Sequence, residues 1–161
     1  MKTRALCSAL LALLLLGSAP PAAADELAPA APAPTVDHYV AIGVRTYAAD
    51  PTSLALSGKA RLLALGPVSA SGRAALLLGR YTEVRAPMTV ELQPVHRVAP
   101  FLGIGVAYNT DQLGALDPML TGGVDVALHR RVALNVTVHY IRQIEAADDD
   151  KELMVSLALV L

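Results

Sequence analysis

Tryptophan is absent from this chain, phenylalanine occurs once, at Phe101, and cysteine once, at Cys7. Cys7 lies inside an N-terminal stretch read below as a removable signal, so the remaining chain has no disulfide framework and no thiolate chemistry. The formal net charge is −1, which gives no electrostatic reason to expect a nucleic-acid partner. Although 54% of the residues are hydrophobic, no uninterrupted apolar run after residue 24 approaches the roughly twenty residues of a membrane-spanning helix. The four histidines show no metal-ligand spacing, and neither a metal nor a cofactor is expected.

What is present starts with an export signal. Lys2 and Arg4 form a charged beginning, residues 9–16 an apolar core, and Ala22, Ala23 and Ala24 a small-residue site before Asp25. This is the pattern of a secretory signal peptide over 1–24. Its apolar core of about ten residues is half of what a spanning helix needs. Residues 25–35 hold Pro29, Pro32 and Pro34 among alanines and read as an extended linker. Residues 36–161 then suit one domain.

That domain alternates. In the segment from Phe101 to Tyr108, Leu102, Ile104, Val106 and Tyr108 fall on one face, with Phe101, Gly103, Gly105 and Ala107 on the other. In the segment from Val132 to Tyr140, Val132, Leu134, Val136, Val138 and Tyr140 oppose Ala133, Asn135, Thr137 and His139. Period-two alternation is the mark of β-strands. The same reading predicts strands over 38–47, 54–65, 72–80, 87–93, 98–109, 119–128, 132–141 and 153–161. Leu63 and Leu65 blur the end of the second. The third has a run of alanine and leucine from 74 to 78 without alternation, but Gly72 and Gly79 bracket it and a lone helix of that length would be marginal.

The strand count is even and the connections alternate in character. Segments 48–53, 81–86, 110–118 and 143–152 are longer and more polar, whereas Gly66-Pro67, Pro94 and residues 129–131 mark short reversals. Long loops at one end and short turns at the other belong to an antiparallel, up-and-down transmembrane β-barrel with both termini in the periplasm.

The segments 101–109, 122–128 and 132–140 resemble the C-terminal half of the small eight-stranded outer-membrane barrels, the porin-like and OmpA-like families. The resemblance spans most of 36–161 and implies a Gram-negative outer membrane, surroundings of lipid and lipopolysaccharide, help from the outer-membrane assembly machinery, and a monomer. Such proteins usually end in an aromatic residue, whereas this sequence ends in Leu161. Some barrels of this size trim lipid A with a histidine and a serine two residues on. Here the residue two after His139 is Ile141, so the resemblance implies no catalytic dyad.

The faces opposite the apolar ones carry Arg45, Lys59, Arg61, Glu91, Asp125 and His139 among small residues. An eight-stranded barrel has an interior just wide enough to be filled by side chains, and buried charges require partners. An interior ion-pair network of Arg45, Lys59 and Arg61 with Glu91 and Asp125 is therefore expected, acting as a structural plug. His139 reads as an interior histidine. Tyr108 and Tyr140, level at the outer ends of their strands, read as part of an aromatic girdle. Glu145, Asp148, Asp149, Asp150 and Glu152 read as a solvated loop, with a divalent-cation site as the alternative; they lack the ligand order of a calcium loop. Gly103 and Gly105 lie mid-strand, away from any helix, and relieve crowding rather than cradle a nucleotide.

The expected function is a non-enzymatic outer-membrane barrel with a structural or surface-interaction role, with a narrow channel as a variant of it. The alternative is a soluble periplasmic lipocalin-like barrel, whose branched apolar faces would point inward to an apolar ligand.

Overall fold

The computed structural model describes residues 36–47, 52–92, 97–110, 116–144 and 149–161. The signal and linker, 1–35, lie outside the described residues. So do Glu145, Asp148 and His96.

Eight strands follow one another: β1 (His38–Tyr47), β2 (Ser53–Leu65), β3 (Val68–Leu78), β4 (Thr82–Leu92), β5 (Val98–Asn109), β6 (Leu116–His129), β7 (Val132–Arg142) and β8 (Asp149–Val160). Each pairs antiparallel with the next. β1 also pairs with β8, closing the sheet into a barrel without an edge. Strands of ten to fourteen residues match the length a tilted strand needs to cross a bilayer.

Period-two alternation sorts the side chains by environment, in the sense opposite to a soluble protein. Leu102 is 69% exposed and Ile104 67%, whereas the charged Asp125 is 1% exposed. The outward face runs through Val40, Ile42, Leu56, Val90, Leu120 and Leu157 with no charge until the rims. Inward lie glycine, alanine, serine, threonine and paired ions. A soluble barrel with an apolar interior requires the reverse, so the lipocalin-like alternative is not favoured.

Small interior residues let strands approach and coil. A Cβ on Gly103 would stand 2.1 Å from the Met88 carbonyl oxygen, and one on Gly43 would stand 2.2 Å from that of Val155. Both glycines sit where tight closure brings a neighbouring backbone into side-chain space.

Several boundaries differ from the sequence expectation. β3 begins at Val68 and not near 72, and its leucine run is a strand with Leu77 inside and Leu76 and Leu78 outside. Ring closure gives it two hydrogen-bonded neighbours, which outweighs local helix preference. β4 begins at Thr82 and passes through Pro87, so 82–86 of the expected external loop 81–86 are strand. Pro87 lacks the N–H of a ladder, and there the β3–β4 pairing skips from Gly72 with Met88 to Ala75 with Arg85. β8 begins at Asp149, four residues before its expected start. The blur at the end of β2 is a bulge between Arg61 and Leu63, whose additional residue leaves Leu62 and Leu63 both exposed.

The two ends of the barrel are distinct. The loop rim carries the connections 48–52, 79–81, 110–115 and 143–148; the turn rim carries 66–67, 93–97 and 130–131. Gly66 takes a positive φ of 57° in the first turn. The start of β1 and the end of β8 meet at the turn rim, where the Leu161 amide donates to the His38 carbonyl at 3.0 Å.

Candidate functional site

The lumen holds two layers of charge. The layer nearer the loop rim joins Arg45 of β1, Glu83 and Arg85 of β4, and Glu152 of β8. Arg45 Nη1 donates to Glu152 Oε1 at 2.8 Å, and its Nη2 reaches Glu83 Oε1 at 3.1 Å and Ser53 Oγ at 2.9 Å. Arg85 grips Glu152 through two nitrogens, Nη2 to Oε1 at 2.7 Å and Nε to Oε2 at 3.3 Å, and also bonds Glu83. Two guanidinium groups face two carboxylates, so the layer is neutral.

The layer nearer the turn rim joins Lys59 of β2, Arg73 of β3, Glu91 of β4 and Asp125 of β6. Lys59 Nζ donates to Glu91 Oε2 at 2.5 Å and to Asp125 Oδ2 at 2.9 Å. Arg73 Nη2 donates to Glu91 Oε1 at 2.6 Å and Asp125 Oδ2 at 2.8 Å, while its Nη1 donates to the Tyr39 hydroxyl at 3.0 Å. The Arg73 guanidinium carbon lies 3.6 Å from the centre of the Phe101 ring, a cation–π contact inside the barrel. Asn135 Nδ2 donates to Asp125 Oδ1 at 2.7 Å and is held by Thr137. This layer too has two cations and two anions. Neutral, multiply bonded groups are the form in which charge tolerates burial.

Between the layers the lumen is polar but uncharged. Ser57, Thr121, Ser156 and both ring nitrogens of His139 have no protein hydrogen-bond partner. A cavity of about 20 Å³ touches Ser57, Thr121, Asn135 and His139, together with Arg73 and Arg85 from the flanking layers. That is room for about one water molecule at a place rich in hydrogen-bonding groups.

Of the five residues assigned from sequence, Lys59, Glu91 and Asp125 meet directly, as the second layer. Arg45 joins the first layer, bonding Glu83 and Glu152 in place of Glu91 or Asp125. Arg61 is a correction: it lies outside the lumen network, paired at the turn rim with Asp37 at 2.8 Å, its side chain 33% exposed. The bulge that follows Arg61 and the end of the strand put it at the mouth, where Asp37 is the acid within reach.

Four network residues escaped the sequence reading. The sequence places Glu83 and Arg85 in a loop because Pro87 reads as a strand start; their alternation with Val84 and Ala86 is the signal for a strand. Glu152 is likewise corrected from the acidic loop to an interior anchor, phased with Met154 and Ser156. Arg73 was hidden beside the non-alternating leucine run. Asp149 and Asp150 open β8, and Asp150 accepts from Gln143. No group of three or more histidine, cysteine, aspartate or glutamate side chains that could hold a metal occurs among the described residues.

Outward aromatics gather at the loop rim. Tyr108 and Tyr140 lie there on the apolar face, and Tyr81 joins them from the β3–β4 connection. Arg80 lies 5.4 Å from the Tyr81 ring centre and Lys151 6.0 Å from that of Tyr140. Tyr39 and Phe101, nearer the other rim, both point inward.

No protein-family model and no curated protein matches the sequence. Solved structures do match in shape. The Yersinia pestis outer membrane protein Ail in a phospholipid bilayer nanodisc is similar with a TM-score of 0.56 at 10% identity, over 78% of this chain and 99% of that one. A de novo designed transmembrane β-barrel matches with a TM-score of 0.56 at 14% identity, over 77% of this chain and 94% of that one. The crystal structure of Ail gives a TM-score of 0.51 at 8% identity, over 76% and 93% of the two chains. With its apolar exterior and ion-paired lumen, this chain has the fold of the small, closed, eight-stranded membrane β-barrels.

Proposed function

We propose that this protein is a non-enzymatic, monomeric barrel of the Gram-negative outer membrane, closed to ions and serving a structural role. The observation that carries the reading is the pairing of an uncharged, branched exterior with two neutral layers of ion pairs inside. The exterior suits lipid, because every strand's backbone bonds are met by its neighbours and no edge is left to hydrocarbon. Two charge layers in series leave an ion no continuous aqueous route, which favours the structural reading over the channel. The strand bounds leave at most six residues for any connection, so there is little loop from which to build an adhesive surface.

Sidedness follows from the ends. The turn rim, with the start of β1 and the end of β8, is assigned to the periplasm, and the tyrosine-bearing loop rim to the cell surface. The test is reconstitution of the purified barrel. Heat-modifiable gel mobility together with ion-tight planar bilayers supports the reading. Release with the soluble periplasmic fraction, or discrete conductance steps from the wild-type barrel, overturns it.

A further inference from the structure

The turn rim carries cationic charge that nothing in the described protein balances. Arg97, Arg130 and Arg131 are exposed, and each lacks an acidic partner among the described residues; Asp37, at the same rim, is taken by Arg61. His129 stands beside them. Backbone bonds join the turns that carry these residues to the neighbouring strands: the Ala127 amide donates to the Arg97 carbonyl at 2.8 Å, and the Val160 amide to that of Arg131 at 3.0 Å. Arg97 also holds a φ of 74°, the left-handed conformation of a turn residue, which fixes where its side chain leaves the rim. At the loop rim the cations have company: Arg80 and Lys151 lie near tyrosine rings, and Asp149 and Asp150 stand among them.

The lipid-facing wall supplies a second, independent feature. Two apolar grooves run along it in the half nearer the turn rim. One, of about 810 Å³, is formed by Met88, Val90, Leu92, Pro100, Leu102 and Ile104. Leu92 and Pro100 flank the turn that carries Arg97. The other, of about 460 Å³, is formed by Val40, Ile42, Leu56, Val132, Leu157 and Leu159. Val132 directly follows Arg131. Each groove therefore ends beside a turn that carries an arginine outside the ion pairs found among the described residues.

We propose that the turn rim is a binding site for anionic phospholipid, with the phosphate on Arg97, Arg130 and Arg131 and an acyl chain in each groove. The inference rests on the membrane-barrel reading above and names the lipid class that this end selects. Guanidinium groups match phosphate oxygens in pairs, and basic residues next to a bilayer attract anionic headgroups over about one Debye length. A neutral phospholipid fills the same grooves without that attraction.

The experiment places the barrel in nanodiscs of phosphatidylcholine containing a trace of spin-labelled phosphatidylglycerol or spin-labelled phosphatidylcholine, and compares the motionally restricted fractions. The expected result is a preference for phosphatidylglycerol of roughly fivefold or more. High salt should weaken it, the triple variant R97Q/R130Q/R131Q should abolish it, and the loop-rim variant R80Q/R142Q should retain it. Equal restriction of the two lipids, or a preference that survives the triple substitution, overturns the proposal. So does a cross-linked pair of barrels that excludes lipid from the grooves. Gel mobility is read on every sample, so failure to insert is seen as failure of the membrane reading and not of lipid selectivity. Should the triple variant alone fail to insert, the salt series on the wild-type barrel decides, and a salt-independent preference overturns the proposal.

Discussion

The two charge layers have the same composition by sign and differ in how they are supported. Around Arg73, Lys59, Glu91 and Asp125 stand Thr89, Tyr39, Asn135 and the Phe101 ring, so nearly every polar atom has a second partner and one cation has an aromatic face. Around Arg45, Arg85, Glu83 and Glu152 the additional side-chain support is Ser53, and the Arg45 Nε has no partner. The side chains of the turn-rim layer are also drier: those of Lys59 and Asp125 are 1% and 0% exposed, against 9% and 10% for Arg45 and Glu83. Equal charge does not mean equal consequence, because the cost of losing a partner depends on whether water can replace it.

The largest effect is expected at Asp125. D125A leaves Lys59 and Arg73 with Glu91 as their shared anion and strands the Asn135 amide, so it should lower stability by about 3–5 kcal/mol. Urea titration of the barrel folded in lipid vesicles measures it, and a loss comparable to that of an exposed pair would show that the layer adds little. E152A is the matching break at the loop rim. It removes the acid bonded by both Arg45 and Arg85, but the mouth is nearer and water can enter, so the loss should be about half as large, near 2 kcal/mol. If the two variants proved equal, the difference in support between the layers would carry no energetic weight. The smallest effect belongs to R61Q, which breaks a rim pair open to solvent and should cost less than about 1 kcal/mol, with the same urea midpoint as wild type at high salt.

The sequence made the faces legible because side-chain alternation is a property of the local backbone and needs no partner. Leu102, Ile104 and Val106 lie outside and Gly103, Gly105 and Ala107 inside, as the alternation expected. The interior site was legible only in part. Asp125, Lys59 and Glu91 were visible as charges on small-residue faces, whereas Glu83, Arg85 and Glu152 were concealed by a mid-strand proline and by an acidic run that resembles a loop. Proline usually marks a strand edge or end, but in a closed barrel each strand has neighbours on both sides that hold it through one missing hydrogen bond. Helix propensity misled less at β3, where the glycines at either end of the alanine and leucine run pointed to a strand.

By itself, then, the sequence determined that the chain forms antiparallel strands with one branched apolar face and one small, sparsely charged face, since both follow from period-two geometry and short turns. Only the tertiary structure decided which face looks outward and which charges meet. Arg45 and Glu152 are 107 residues apart and become neighbours solely because β1 and β8 close the ring. Arg61 misses the network because a bulge and the end of the strand leave it at the mouth. Partner choice inside a barrel depends on register and closure, which belong to the whole sheet and not to any one strand.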